Sequence, residues 1–272
     1  MKIISWNMAH RKQSWFHLLD SDADIALLQE ASQPPIEVQQ KISVDNEPWE
    51  TISPGKNSSW RTAVVKLSDQ VDVDWIKPFP IDQAGWRQFA VSRLGTLAAA
   101  QVSYKDEAPI ILISMYGFWE KPHKLTGSNW LYSDSSVHRL ISDLSTFIGR
   151  QTNHRILASG DLNILHGYGE HGSKYWASRY QSIFDRMEAL GLRFVGPQAP
   201  NGRQADPWPS ELPPNSKNVP TFHSNRQTPE TASRQLDFVF ASEKIADKVR
   251  VVALNDPTNW GPSDHCKIMI EI

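Results

Sequence analysis

The chain has 272 residues, of which 40% are hydrophobic and 21% charged, a balance that excludes a disordered chain and allows a sizeable apolar core. A formal net charge of −2 excludes the strongly positive surface of a protein that coats nucleic acid, so any polyanion must be held locally. A single cysteine, Cys266, excludes an internal disulfide framework and a multi-cysteine metal site.

The first half of the chain is predicted to be rich in strands. Two short β-favouring runs, residues 2–6 and 24–29, flank a stretch that carries Trp15 and Leu18 at helical spacing. This pattern predicts a strand, a helix and a second strand. Further strands are predicted at residues 61–67, 71–76, 89–94, 97–104 and 109–116.

The second half is predicted to mix helices with strands. Ser133 or Asp134 can cap a helix whose apolar residues recur at i, i+3, i+4 and i+7. A second helix near 175–190 is stopped by Gly191. Strands are predicted at residues 154–159, 235–241, 249–254 and 266–272.

The proline-rich stretch 196–220 cannot be a regular helix or a central strand. One interpretation is a linker between two domains. We favour an ordered surface loop within a single domain that spans residues 1–272, because long loops in compact domains tend to be functional and polar candidate residues lie on both sides of it.

Polar or acidic residues stand at the ends of several predicted strands, in IISWN, IALLQE, ILASGDLN and QLDFVF, and in PSDHC before the last strand. Each such residue alone has a structural explanation as a turn or a cap. Strand ends that gather on one face of a fold make a site, and the ordered set therefore points to function. The set comprises Asn7, Glu30, Asp161, Asn163, Asp237, Asp264 and His265.

Several members of this set are carboxylates, and like charges at close range resist joint ionisation unless a cation relieves the repulsion. Oxygen ligands without a thiolate cluster favour a hard cation over structural zinc. The expected ion is Mg²⁺, with Mn²⁺ as a substitute. A carboxylate such as Asp237 would orient His265, while the amides of Asn7 and Asn163 and the hydroxyl of Tyr116 supply hydrogen-bond donors for a phosphate.

The motifs SWN, LLQE, SMY, GDLN, LDFVF and SDHC, in this order between residues 3 and 270, resemble those of the endonuclease/exonuclease/phosphatase superfamily. The resemblance implies the DNase I-like fold of class α/β (α+β). This fold is a four-layer α/β/β/α sandwich of two mixed β-sheets with the active site at one end of the sheets. It also implies a divalent-metal-dependent phosphoesterase.

The resemblance assigns metal binding to three residues of the set. Glu30 is similar to the principal metal ligand of the superfamily, and Asn7 and Asp264 are similar to its supporting groups. The number of metal ions, one or two, stays open. His166 and His171 offer ligands for a second ion, but two histidines without a third ligand are more often structural.

The resemblance also implies the catalytic roles. Asp161 with Asn163 would position or deprotonate the attacking water, and His265, oriented by Asp237, would contact the scissile phosphate. Tyr116 would stabilise the pentacovalent transition state. Whether Asp161 or His265 is the general base stays open. The full catalytic set is Asn7, Tyr116, Asp161, Asn163, Asp237 and His265.

The chain departs from the abasic-site endonuclease branch of the superfamily. That branch usually has an acid two residues after the first asparagine and an asparagine two residues before the tyrosine, where this chain has Ala9 and Ser114. It also usually has PN shortly after the tyrosine, where Gly117 follows here. A dedicated abasic-site repair enzyme is therefore not the expected function.

The segment YGFWEKPHKLTGSNW, residues 116–130, interleaves aromatic and basic side chains. We interpret it as a surface on which nucleotide bases stack while lysines meet the backbone. Contact with a membrane interface, or aromatics that simply pack under the loop, are the alternatives. The predicted substrate-binding residues are Trp119, Lys121, Lys124, Thr221, which also matches a position that braces the site, and Arg234.

The sequence therefore predicts a Mg²⁺-dependent phosphodiesterase that acts on nucleic acid, without stable membrane association or an evident protein partner. One alternative is hydrolysis of a small or lipid-linked phosphate ester, and another is a catalytically silent binding module of the same fold. No secretory signal is visible in the first residues, so the cytoplasm is expected. DNA or RNA as substrate, and internal or terminal cleavage, stay open.

Overall fold

The computed structural model describes residues 1–53, 56–168 and 172–272. The strands in these ranges are β1 (Lys2–Asn7), β2 (Ile25–Ala31), β3 (Ser43–Val44), β4 (Thr51–Ser53), β5 (Lys56–Ser58), β6 (Arg61–Lys66), β7 (Val71–Ile76), β8 (Pro78–Pro80), β9 (Phe89–Val91), β10 (Leu97–Tyr104), β11 (Ile110–Tyr116), β12 (Ile156–Asp161), β13 (Leu192–Gly196), β14 (Asp237–Ser242), β15 (Arg250–Leu254) and β16 (Lys267–Glu271). The helices are α1 (Lys12–Leu19), α2 (Ile36–Gln39), α3 (Asp134–Leu144), α4 (Lys174–Ala189) and α5 (Glu243–Ala246).

Two mixed six-stranded sheets organise the chain. The first has the order β15-β16-β1-β2-β6-β3 and the second the order β13-β14-β12-β11-β10-β7. Each sheet contains one parallel pair, β1 with β2 and β11 with β12, and its other neighbours are antiparallel. The carboxyl ends of β1 and β2, and those of β11 and β12, therefore lie at a shared edge of each sheet.

Alternation along the strands builds a four-layer core. Ile3 and Leu112 point between the sheets and share one cluster. Their neighbours Ile4 and Ile113 point outward, where Ile4 packs with α1 and Ile113 packs with α3 and α4. Helices thus cover both outer faces, and the predicted α/β/β/α sandwich is confirmed.

Most of the predicted strands and both long helices are present with small shifts at their ends. The strand predicted at residues 89–94 ends at Val91, because both the backbone N–H and the hydroxyl of Ser92 donate to the carboxylate of Asp143 on α3. Strand β13 was not predicted. It pairs with β14 at the edge of the second sheet. Its two end residues are buried, and the three residues between them are partly exposed.

The proline-rich stretch packs against the body of the protein. Val219 is fully buried in the cluster between the two sheets, and its N–H donates to the side chain of Gln235 at 3.1 Å. Directly after the stretch, Thr221 and Phe222 pair with Arg234, and Phe222 also forms a β-bridge with His265. This loop therefore fixes the segments that lead into β14 and β16.

No helix in residues 1–53, 56–168 and 172–272 combines the length and apolar character needed to cross a bilayer.

Candidate active site

The predicted catalytic side chains converge at the shared edge of the two sheets. Asn7 ends β1, and Tyr116 and Asp161 end the parallel strands β11 and β12, where they are direct cross-strand partners. Asp237 begins the antiparallel strand β14 opposite Asp161, and His265 lies just before β16, which runs antiparallel to β1. Strand register aligns the three residues of the second sheet, and the packing of the first sheet against it brings Asn7 and His265 to the same place.

Asp161 is the most heavily hydrogen-bonded carboxylate of the cluster. Its Oδ2 accepts from Asn7 Nδ2 at 2.9 Å and from Asn163 Nδ2 at 3.1 Å, and its Oδ1 accepts from the backbone N–H of Asn163 at 2.9 Å. Because a carboxylate offers about four acceptor positions, three fixed donors leave one free direction. The free position is on Oδ1, since Oδ2 already has two donors, and Nε2 of His265 lies 3.7 Å from Oδ2.

His265 is held by a carboxylate on its other ring nitrogen. Its Nδ1 lies 2.8 Å from Asp237 Oδ2, and its backbone N–H donates to the Ser263 hydroxyl, which in turn donates to the carbonyl of Asn7 at 2.7 Å. Burial lowers the pKa of His265, but the charges of Asp237 and Asp161 outweigh burial and raise this pKa to about 10. The imidazole is therefore positively charged at neutral pH.

The carboxylate of Glu30 is partly accessible to solvent. A β-bulge near the end of β2 and a left-handed backbone, with φ of 46°, turn Glu30 away from regular strand geometry. Its Oε2 lies 2.8 Å from Nε2 of His10. Burial alone would raise the pKa of Glu30, but hydrogen bonds from His10 and Tyr116 outweigh burial and lower it.

Left-handed backbone conformations of residues other than glycine are concentrated at this site. Four of the six in the described ranges lie here. Such conformations are strained and are characteristic of functional positions. The four residues are Ala9, His10, Glu30 and Asn163.

The donor set fits a hard divalent cation. Burial raises the pKa of Asp161 to about 8, with the charges of Asp237 and Glu30 acting in the same direction against that of His265. Asp161 and Asp237 therefore resist joint ionisation, and a bound cation would relieve their repulsion. Asp161, Asp237 and His265 each offer a ligand atom within 4.8 Å of one another. Asp264 is half-buried beside this group, and its charge also acts on His265.

Thr221 requires a correction, because its side chain is fully buried and has no surface to offer a substrate. Its hydroxyl accepts from the backbone N–H groups of Leu236 and Asp237 at 3.0 and 3.2 Å. Thr221 therefore braces the start of β14, and the predicted substrate contact is withdrawn.

The other predicted substrate-binding residues lie beside the cluster. Trp119, Lys121 and Lys124 are exposed on the loop after β11. This loop is anchored at Gly117, whose N–H donates to the carbonyl of Asp161 at 2.7 Å and whose carbonyl accepts from Asn163 at 3.0 Å. A Cβ on Gly117 would lie 2.2 Å from the carbonyl oxygen of Leu162, so this position requires glycine.

The basic and histidine candidates have other partners. Arg234 is paired with Glu211 at 2.8 Å and donates to the hydroxyl of Tyr168. His166 packs against Phe184, with 4.3 Å between ring centroids, and burial lowers its pKa. His171, the second candidate ligand for another metal ion, lies outside the described residues.

The sequence did not identify His10 as a partner of Glu30. After β1 the chain curls back, so that the N–H of His10 donates to the carbonyl of Glu30 at 3.1 Å. The signal was the pair Ala9–His10 at the place where the abasic-site branch has an acid. A histidine next to a missing acid changes the surroundings of Glu30, the predicted metal ligand.

No protein-family model and no curated protein matches the sequence. Solved structures match it at low identity. The endonuclease domain of TRAS1, a telomere-specific non-LTR retrotransposon, is 16% identical with a TM-score of 0.61, over 100% of this chain and 97% of that chain. The AP endonuclease LMAP from Leishmania major is 16% identical with a TM-score of 0.63, over 99% and 86% of the two chains. The 3′-5′ exonuclease NExo from Neisseria meningitidis is 18% identical with a TM-score of 0.59, over 100% and 99%.

These matches extend over nearly the whole chain, and the strand ends that carry the site follow the order of the superfamily motifs. The chain therefore has a DNase I-like α/β/β/α fold.

Proposed function

We propose that this protein is a divalent-metal-dependent phosphodiesterase that hydrolyses nucleic acid. The observation that carries the proposal is the buried pair of Asp161 and the imidazolium of His265, fixed by Asn7, Asn163 and Asp237. A fixed carboxylate next to a fixed cationic donor suits attack of water on a phosphate. The matching structures are described as an endonuclease, an AP endonuclease and a 3′-5′ exonuclease, which supports nucleic acid as the substrate.

Glu30 is the residue that we propose as the main ligand of the ion, with Asn7 and Asp264 in support. The side chain of Glu30 is 17% exposed, whereas those of Asp161 and Asp237 are 1% and 2% exposed and already hydrogen-bonded. When bound, a divalent cation would neutralise charge on the phosphate and the leaving oxygen. The oxygen-rich donor set favours Mg²⁺, with Mn²⁺ as a substitute.

Asp161 is the group that we propose as the general base. Burial lowers the pKa of His265, but the charges of Asp237 and Asp161 raise it and favour the protonated ring, whereas a bound cation would favour the ionised carboxylate of Asp161 that accepts the proton. The protonated ring can donate a hydrogen bond to a phosphate oxygen, and Asp237 keeps this ring oriented. Asn163 would hold the attacking water beside Asp161. Burial and the charge of Glu30 raise the pKa of Tyr116, so its hydroxyl keeps its proton and stays a hydrogen-bond donor.

A substrate panel tests the proposal. Single-stranded DNA, duplex DNA, abasic DNA, RNA, a phosphoinositide and bis(p-nitrophenyl) phosphate would each be incubated with Mg²⁺ and with chelator. We expect cleavage of at least one nucleic acid, with Mg²⁺ only. Hydrolysis of the phosphoinositide alone would favour the lipid alternative, and binding of nucleic acid without hydrolysis of any substrate would favour the silent module.

The pH profile of Asp237→Asn gives a second expected result. The negative charge of Asp237 raises the pKa of both His265 and Asp161. Its removal should lower both values, so the acid and alkaline limits of kcat should both move to lower pH. The alkaline decline of activity should therefore begin at a lower pH in the variant than in the wild type. An unchanged profile would contradict the coupling, and Asp247→Asn, an exposed aspartate, is the matched control.

A further inference from the structure

An aromatic cleft opens beside the candidate active site. It has a volume of about 610 Å³, within the range of roughly 300–1,000 Å³ that is usual for small-molecule sites. Trp119 and Trp130 line it and are 40% and 63% exposed. Trp176 and Tyr180 on α4 continue the wall, with ring centroids 5.8 Å apart. Large aromatic surfaces left open to solvent in one cleft indicate a binding surface.

Three segments connect this cleft to the catalytic residues. Trp119 lies two residues after Gly117, which is hydrogen-bonded to both Asp161 and Asn163. Leu165 lines the cleft two residues after Asn163, and Arg234 lines it three residues before Asp237. Since a residue spans at most about 3.6 Å, the cleft wall begins within roughly 7–11 Å of the site.

We propose that this cleft binds an unpaired base of the substrate strand next to the scissile phosphate. The inference rests on the proposed function and narrows it to substrates in which a base is free of its partner, because a base inside a duplex is held by pairing while its neighbours in the stack cover both of its faces. Stacking on aromatic rings tolerates every base, since each base has a π-face.

The polar part of the cleft favours a base over an acyl chain. Arg234 and Glu211 form an ion pair of 2.8 Å in the wall, and Arg234 also donates to the hydroxyl of Tyr168, which is 8% exposed. A guanidinium and a carboxylate can meet the donors and acceptors on the edge of a base. An acyl chain would leave both without new partners.

The test combines a base-free substrate with a tryptophan replacement. Short single-stranded oligonucleotides would carry either normal bases or a tetrahydrofuran residue, which lacks a base, at each position around the cleaved bond. KM and kcat would be measured for the wild type and Trp130→Leu. Trp130 is largely exposed, so its replacement leaves the core intact, and Trp86→Leu, which alters a tryptophan that is 90% exposed and outside the cleft, is the matched control.

Removal of one base should raise the wild-type KM by about fivefold to a hundredfold. Trp130→Leu should raise the KM for the normal oligonucleotide by a factor in the same range, with little change in kcat, and should leave the KM for the base-free oligonucleotide unchanged. Trp86→Leu should behave as the wild type.

Equal KM values for both oligonucleotides in the wild type would overturn the inference, as would an equal effect of Trp130→Leu on both. A KM effect confined to a micellar lipid phosphodiester would assign the cleft to an acyl chain instead. Failure of the wild type to cleave any oligonucleotide would refute the proposed function itself, and this inference with it, and is distinguishable because no KM could then be measured.

Discussion

Replacement of Asp161 by asparagine should lower kcat for phosphodiester cleavage by about 10²–10⁴-fold, the usual contribution of a general base. Asparagine has nearly the same shape but cannot accept the proton of the attacking water. The comparison of initial rates at saturating Mg²⁺ measures the effect. A variant that retained its rate within about tenfold would remove Asp161 from the role of base.

The same variant has an expected signature in stability that a merely structural residue would not give. The pKa of Asp161 is about 8 in the folded protein and 3.8 ordinarily. When folding raises the pKa of a carboxyl, the folded protein is more stable at low pH and loses stability as pH rises above the ordinary pKa. Asparagine cannot ionise, so in chelator at pH 7 the variant should melt no lower than the wild type.

Calorimetry in the presence of chelator measures this second effect. Loss of activity with a retained or increased Tm would show that Asp161 serves catalysis and lowers the stability of the folded protein. Loss of both would mean that the three hydrogen bonds to its carboxylate are mainly structural. Asp185→Asn, on an exposed position of α4, is the control for the substitution.

Replacement of Glu30 by glutamine should weaken binding of the divalent ion by about a hundredfold or more. Loss of a residue that only hydrogen-bonds to a metal ligand typically costs about tenfold to a hundredfold, and loss of a ligand itself should cost no less. Glutamine preserves the size of the side chain and removes its charge. Mn²⁺ binding, followed by the loss of the free-ion signal in electron paramagnetic resonance, measures affinity without reference to activity. Cleavage by the variant should recover in part at high Mg²⁺.

Glu37→Gln is the matched control for this prediction, because Glu37 is exposed on α2 and lies outside the site. Unchanged Mn²⁺ affinity in Glu30→Gln would contradict the assignment. If Asp237→Asn abolished binding instead, the ion would belong to the group of Asp161, Asp237 and His265, whose ligand atoms lie within 4.8 Å of one another.

The location of the site follows from the sequence because its residues stand at the ends of apolar runs. Asn7, Tyr116 and Asp161 each close a strand that is buried along nearly its whole length. Successive side chains of a strand face opposite sides, and these three share the side that packs between the sheets. Parallel pairing within each sheet then puts the strand ends at one edge.

Other features depend on contacts that no local pattern contains. The approach of His10 to Glu30 requires left-handed backbone at Ala9, His10 and Glu30, a conformation that alanine and glutamate rarely adopt. Strand β13 forms because β14 offers it a free edge. Burial of Thr221 depends on the path of the proline-rich loop. Tertiary structure, and not local propensity, decides each of these.

The most direct test of the account is the cleavage of one single-stranded oligonucleotide by the purified wild type, measured with Mg²⁺, after chelation and after Mg²⁺ is restored, with Asp161→Asn purified in parallel. The account predicts cleavage that stops on chelation, returns with Mg²⁺, and is at least about a hundredfold slower in the variant under every condition that contains the ion. Cleavage that persists in chelator, or that the two proteins share at equal rates, would contradict it.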